Sequence, residues 1–278
     1  MFYDQVKKSA DYICSKVDMK PDVAIILGSG LGKIVDIMEN RLVVPYKEIP
    51  GFPQSSVAGH AGNLVFGTIN DTKIMALQGR FHYYEGFTMK EVAYPVYVMK
   101  LLGIENMIVT NACGGINPTF EPGDLMIIDD FINSVGTNPL HGENDERFGP
   151  RFPDMSEPYD GLLREKAEKI ANQLDIKVKH GVYTLFQGPY YESAAEIRMF
   201  KVVGSDAIGM STVPETIVAN YAGIKTLGIA CITNMATGLR TGKHSHKEVV
   251  EIAERSSEKL CAWMEELLRQ WNTVIKKN

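Results

Sequence analysis

The sequence predicts an α/β fold: a single domain, residues 1–278, with a mixed, mostly parallel central sheet flanked by helices. Three observations predict it. Short apolar runs alternate with helical stretches along the whole chain. Several of those runs are continuous rather than alternating, as strands buried on both faces are. No linker or composition shift divides the 278 residues, a length that can bury one large core.

The elements follow in order. Residues 3–18 read as an amphipathic helix with Val6, Ala10, Ile13 and Val17 on one face, broken at Pro21-Asp22. Val23-Ala24-Ile25-Ile26-Leu27 reads as a buried strand running into the loop Gly28-Ser29-Gly30-Leu31-Gly32. Residues 63–69 and 73–78 read as two strands around Asn70-Asp71, a hairpin signal. Residues 89–102 are predicted helical, and Met107-Ile108-Val109-Thr110-Asn111 is a buried strand ending in Ala112-Cys113-Gly114-Gly115. Leu125-Met126-Ile127-Ile128 is a further strand. The polar stretch from about Asn133 to Tyr159 is long for a loop in a compact domain, which marks it as functional. Beyond it the pattern predicts a helix over 160–174, a strand over 182–186 and a helix over 192–203. A short strand over 206–210, a helix over 214–223 and a strand over 225–233 follow, then a terminal helix over 245–276. Met75, Met89 and Met99 read as core filler.

Composition excludes several classes. With 34 acidic and 29 basic residues the net charge is −5, which argues against nucleic acid as the main partner but not against a local anion pocket. Cys14, Cys113, Cys231 and Cys261 are scattered without a CxxC pair, so neither a disulfide framework nor a zinc ribbon is expected, and a reducing cytoplasm fits best. The start Met1-Phe2-Tyr3-Asp4-Gln5 lacks a signal-type apolar core, and no stretch approaches the ~18 apolar residues of a membrane span. A soluble protein without membrane partners is the expectation.

Four strand ends finish in small or polar residues: Gly28-Ser29-Gly30, Asn111-Ala112-Cys113, Gly209-Met210-Ser211-Thr212 and Ile232-Thr233-Asn234. Ligands of α/β sheets sit at such ends, and four together favour a site. The glycine loop fits neither Walker A nor GxGxxG spacing; taken alone it is a turn as readily as a phosphate cradle. Gln78-Gly79-Arg80-Phe81-His82-Tyr83-Tyr84-Glu85-Gly86 carries an Arg fork and further donors directly after a strand. Glu192, beside Tyr190 and Tyr191, suits the edge of a flat ring, although a Glu at a helix N-terminus has a dipole reason of its own. Asn234 both donates and accepts, as a heterocycle edge requires, and is equally a turn former. His244-Ser245-His246 has no third ligand at recognisable spacing, so no metal is read there. Cys113 reads as a small apolar residue beside glycines rather than a nucleophile.

Taken jointly, these segments resemble the trimeric purine nucleoside phosphorylases, within the nucleoside phosphorylase and methylthioadenosine phosphorylase superfamily. The resemblance also rests on Gly59-His60-Ala61-Gly62, Asn144-Asp145-Glu146-Arg147-Phe148, Arg151-Phe152-Pro153, Gly188-Pro189-Tyr190-Tyr191-Glu192 and Gly209-Met210-Ser211-Thr212-Val213-Pro214-Glu215. These run in order over about nine-tenths of the chain, well beyond the chance risk of a single motif.

The resemblance implies a nucleoside phosphorylase fold and phosphorolysis of purine nucleosides and deoxynucleosides in purine salvage. It implies that phosphate meets Ser29, His60, Arg80, His82, Ser211 and the backbone N–H of Ala112. The ribose would meet Tyr84, Met210 and His246, with His244 two residues away. Glu192, Asn234 and Tyr191 would meet the base, where the family places Phe at the position of Tyr191. Catalytic roles fall on Asn234, Glu192 and His82. Phe152 would reach the neighbouring subunit's site, which requires a homo-oligomer, in this family a trimer. No metal or organic cofactor is implied; inorganic phosphate is a co-substrate. Rival readings are a xanthosine-preferring or methylthioadenosine-type relative, which Asn234 argues against in the second case. From another class, the rival is a nucleoside-binding protein without chemistry, in which the phosphate donors would have no purpose.

Overall fold

Residues 23–26 are buried along their whole length, with Val23 and Ile25 in one apolar cluster and Ala24 and Ile26 in another. A strand with two dry faces must be covered on both, and the architecture supplies the covers. The computed structural model describes residues 1–28, 32–54, 61–239 and 246–275. Its elements are α1 (Phe2–Lys16), β1 (Val23–Ile26), β2 (Glu39–Pro45), β3 (Asn63–Ile69), β4 (Thr72–Gln78), α2 (Met89–Val92), α3 (Tyr94–Leu101), β5 (Asn106–Gly115) and β6 (Leu125–Asn133). There follow α4 (Gly161–Gln173), β7 (Val178–Leu185), α5 (Ala194–Val202), β8 (Ala207–Gly209), α6 (Val213–Tyr221), β9 (Lys225–Met235) and α7 (His246–Arg269).

Among the described residues nine strands form one sheet in the order β2-β3-β4-β1-β5-β8-β7-β6-β9, and β5 also pairs with β9. The last five therefore close into a ring. Five of the nine pairings are parallel and four antiparallel, so the sheet is mixed, with the parallel pairs only slightly ahead. One face is covered by α4 and α7, with Leu163, Ala167 and Ile170 against Leu260, Trp263 and Leu267. The indole of Trp263 donates to the Ala167 carbonyl at 2.8 Å. The other face is covered by α1, α3 and α6, through Val6, Ile13, Tyr94, Val98, Val213 and Val218. Met75, Met89 and Met99 are all buried core residues. Among the described residues no helix is long and apolar enough to cross a membrane.

Several elements differ from the sequence reading. The helix expected over 89–102 is split at Ala93, because Pro95 cannot donate into a continuous helix and crowds the preceding turn. β2 was not expected: residues 39–43 are exposed, so the strand lacks an apolar signature and is held to β3 by its backbone. α5 starts at Ala194 rather than 192, capped by Ser193, whose backbone N–H donates to Glu196 at 2.7 Å while the Glu196 N–H donates back to Ser193 Oγ at 3.3 Å. The α-helical part of the terminal helix stops at Arg269 and is followed by a π turn over Trp271–Ile275. The long connection between β6 and α4 has no helix or strand, yet it is pinned. Phe148 is buried against Phe2, Tyr3 and Tyr97, and Tyr221 Oη donates to Asn144 Oδ1 at 2.9 Å and to the Asp145 carbonyl at 2.7 Å.

Candidate active site

The carboxyl ends of β1, β4, β5, β8 and β9 converge on one cavity of about 130 Å³. Close backbone approach makes this possible at its floor: a Cβ on Gly28 would lie 2.8 Å from Asn111 Cα and Thr110 O. Arg80 follows β4 and is 3% exposed; its Nη1 donates to Thr110 O at 2.9 Å and Ser211 Oγ at 3.0 Å. Its Nε lies 3.2 Å from Glu215 Oε1 of α6, which is equally buried. The guanidinium is therefore held by a carboxylate behind it while it faces the cavity, a geometry that orients the fork and offsets its charge.

Ser211 and Thr212 sit at the N-terminus of α6, where the helix dipole favours an anion. Thr212 has φ 76° and ψ −50°, and the Val213 N–H donates to Ser211 O at 2.8 Å. This is a γ-turn of the rare positive-φ kind, strained for a β-branched residue, and it aims both hydroxyls at Arg80. Next along the wall, His82 is buried; its backbone N–H donates to Glu85 Oε1 at 2.8 Å, and its Nδ1 lies 3.1 Å from the same oxygen. Glu85 thus fixes the imidazole plane, which stacks on Tyr84 at 4.7 Å and 16°. Burial, with the Glu85 charge adding to it, pushes the Tyr84 hydroxyl up to about 12, so it remains a proton donor at neutral pH.

Glu192 is 6% exposed, and burial raises its carboxyl above the ordinary range. Tyr191 stands beside it. Asn234 is placed by a bulge: Cys113 pairs with Ile232 but Gly114 pairs with Asn234, leaving Thr233 as the extra residue. Thr233 Oγ1 donates to Asn234 Oδ1 at 3.1 Å, and Asn234 Nδ2 donates to Met235 O at 3.2 Å. Gly114 leaves room for this amide, since a Cβ there would meet Nδ2 at 3.3 Å.

Of the residues predicted from sequence, Arg80, His82, Ala112 and Ser211 line this cavity together with Tyr84, Tyr191, Glu192, Met210 and Asn234. Phe152 does not line it; it stands 87% exposed on the long connection. Ser29, His60 and His244 lie outside the described residues. His246 begins α7, but its side chain also lies outside them. Cys113 both packs and lines the wall: it is 4% exposed, its Sγ donates to Cys231 O at 3.6 Å, and burial pushes its thiol far up, away from a nucleophile's range. Asn111 and Thr212 stood among the strand-end residues that favoured a site, but without a role of their own. Sequence reasoning missed the supports Glu85 and Glu215, of which only Glu85 had a local signal, an acid three residues after His82. Among the described residues no cluster of three His, Cys, Asp or Glu could hold a metal.

A family model described as the phosphorylase superfamily matches residues 22–269. The chain is 53% identical over 252 residues to purine nucleoside phosphorylase 1 of Bacillus subtilis (strain 168), covering 91% of this chain and 93% of that one. The crystal structure of Schistosoma mansoni purine nucleoside phosphorylase in complex with inosine superposes with a TM-score of 0.92 at 39% identity, covering 96% of both chains. The structure of the Schistosoma mansoni protein with adenosine gives 0.91 at 39% identity, covering 96% of this chain and 97% of that one. With the cavity, the sheet and these likenesses in agreement, the chain belongs to the phosphorylase superfamily, and within it to the purine nucleoside phosphorylases.

Proposed function

We propose that this chain catalyses the phosphorolysis of purine ribonucleosides and deoxyribonucleosides, preferring the 6-oxopurines inosine and guanosine, and releases the free base and (deoxy)ribose 1-phosphate. The observation that carries the reading is one cavity lined both by anion donors, Arg80, Ser211 and His82, and by a base-edge pair, Glu192 and Asn234. Cleavage breaks the C1′–N9 bond, and its electron pair leaves on the purine. A phosphate oxygen forms the new bond to C1′, and the proton of monohydrogen phosphate ends on the released base. Positive charge on the sugar is stabilised by the phosphate itself, so the protein's task is to place the anion without leaving a buried charge unpaired. Tyr84 and Met210 suit the ribose between them.

Asn234 donates to N7 or O6 as the purine gains charge, and ionised Glu192 accepts from N1–H. Inosine and guanosine carry that proton and adenosine does not, so a 6-aminopurine sets two lone pairs against each other in a dry site. Adenosine occupies a Schistosoma mansoni relative; turnover, not occupancy, is the criterion here. No cofactor is called for beyond the co-substrate phosphate. The proposal extends to a homotrimer in the cytoplasm serving purine salvage, with Phe152 of one protomer completing the site of the next. Ser29, His60 and His246 join the phosphate and ribose contacts.

The test is inosine incubated with and without phosphate. Hypoxanthine and ribose 1-phosphate formed only with phosphate support the proposal. Cleavage without phosphate indicates a hydrolase, and binding without cleavage indicates a nucleoside-binding protein.

A further inference from the structure

Asn111 is a buried amide that the mechanism above does not use. It is 1% exposed on β5, one residue before Ala112, and it lines the cavity with Arg80 and Ser211. Its Nδ2 donates to Thr212 Oγ1 at 2.9 Å. Thr212 Oγ1 lies 3.3 Å from Ser211 Oγ, a partner for its own hydrogen, so it is free to receive the amide's. Among the described residues Asn111 Oδ1 has no hydrogen-bond partner. A buried acceptor without a donor is costly and rare, and one placed beside an anion's donors is doubly so. It becomes favourable when the anion itself brings a hydrogen.

We propose that Asn111 Oδ1 accepts a hydrogen bond from the P–O–H group of monohydrogen phosphate, so that the site reads the protonation of its anion and selects phosphate over sulfate. This rests on the phosphorolysis reading for the identity of the anion. Near neutral pH inorganic phosphate carries at least one hydrogen and sulfate carries none. Both are tetrahedral and of similar size, so Arg80, Ser211 and the Ala112 N–H cannot separate them; an acceptor can. Holding the hydrogen at Asn111 also keeps it off the oxygens that remain to face C1′. Asn111 is thereby a specificity-determining residue, distinct from the donors.

The experiment is calorimetric titration of the full chain with inorganic phosphate and with sulfate at pH 7, without nucleoside, so that its outcome does not depend on turnover. The wild type is expected to bind phosphate about tenfold or more tighter than sulfate, the size of effect that an unmet acceptor produces. Asn111→Leu, which removes the acceptor, should bring the two anions within about threefold of each other, by weakening phosphate and relieving sulfate. Asn111→Asp keeps an acceptor, and should hold or widen the ratio; it carries the test should the Leu variant fail to fold. Equal binding of the two anions by the wild type overturns the proposal. So does a parallel loss of both in Asn111→Leu, which would mean that the amide donates to the anion. A ratio narrowed in Asn111→Asp overturns it too. Failure of phosphate-dependent cleavage with the anion ratio intact would instead sink the phosphorolysis reading alone.

Discussion

Replacing Arg80 with methionine separates what that residue does for the fold from what it does for the anion. Arg80 and Glu215 are 3% and 2% exposed, with Nε and Oε1 3.2 Å apart. Met fills much of the stem's volume but leaves the Glu215 carboxylate buried alone, a change that costs about 3–5 kcal/mol. For a chain of 278 residues, 1 kcal/mol corresponds to about 2 °C near the midpoint, so Tm should fall by about 6–10 °C. The double variant Arg80→Met/Glu215→Leu removes both charges together, and apolar replacement of a buried pair is commonly neutral or stabilising, so most of that loss should return. Phosphate use should not return. A charged hydrogen-bond donor to the anion contributes about 1.5–3 kcal/mol, which is roughly 10- to 150-fold in kcat/KM for phosphate. The assay pairs thermal melts of wild type, single and double variants with initial rates over a phosphate series. A double variant as unstable as the single one would refute the compensating role of Glu215. A double variant with wild-type phosphate kinetics would refute the placement of Arg80 against the anion.

Asn234→Asp should shift the ratio of kcat/KM for inosine over adenosine towards adenosine, because an ionised Asp accepts from the 6-amino group and repels O6; an unmoved ratio would clear Asn234 of base discrimination. Because burial raises the Glu192 carboxyl above the ordinary 4.5, the acid limb of kcat/KM for inosine, measured with monohydrogen phosphate held saturating at every pH, should have its midpoint above that value, and Glu192→Gln should abolish that limb. The stability sign is the opposite of the catalytic one: a raised folded pKa means that Glu192 contributes most when protonated and loses that contribution as pH rises through it, so Glu192→Gln without ligand should melt no lower than wild type at pH 7. Phe152→Ala should raise KM for the nucleoside several-fold with little change in Tm, since the ring is 87% exposed in the protomer; a wild type that sediments as a fully active monomer would remove the residue from the site.

The strands were legible wherever both faces are dry, because continuous apolar runs such as Val23–Ile26 and Met107–Val109 have no other simple explanation. β2 was not, since an edge strand with exposed Leu42 and Val43 is held by backbone pairing that leaves no mark on residue type. Glu192 looked like a helix-start acid, yet the capping box Ser193-Ala194-Ala195-Glu196 was written in the sequence and fixes the cap one residue later, which releases Glu192 for the cavity. Arg80 and Asn234 stood out as donors at strand ends. Their supports did not: Glu215 reaches Arg80 across the fold, and the bulge that places Asn234 exists only in the register of β5 against β9. The orphan oxygen of Asn111 likewise has no sequence signal, because satisfaction of a buried acceptor is a property of its surroundings.

Ring closure decides when in the life of the chain this cavity exists. β5 and β9 are joined from Asn106 against Lys225 to Gly115 against Met235, partners far apart along the chain, so the entropy of a long loop must be spent before any of that pairing is gained. The cavity takes Arg80 from the end of β4, Asn111 from β5, Ser211 from beyond β8 and Asn234 from β9. No nascent chain lacking β9 contains it, and neither does a collapsed intermediate in which the ring is still open. A ligand of this cavity therefore cannot guide early folding. Bound to the finished protomer alone, such a ligand raises the melting temperature by mass action and slows unfolding, while the folding rate stays as it was.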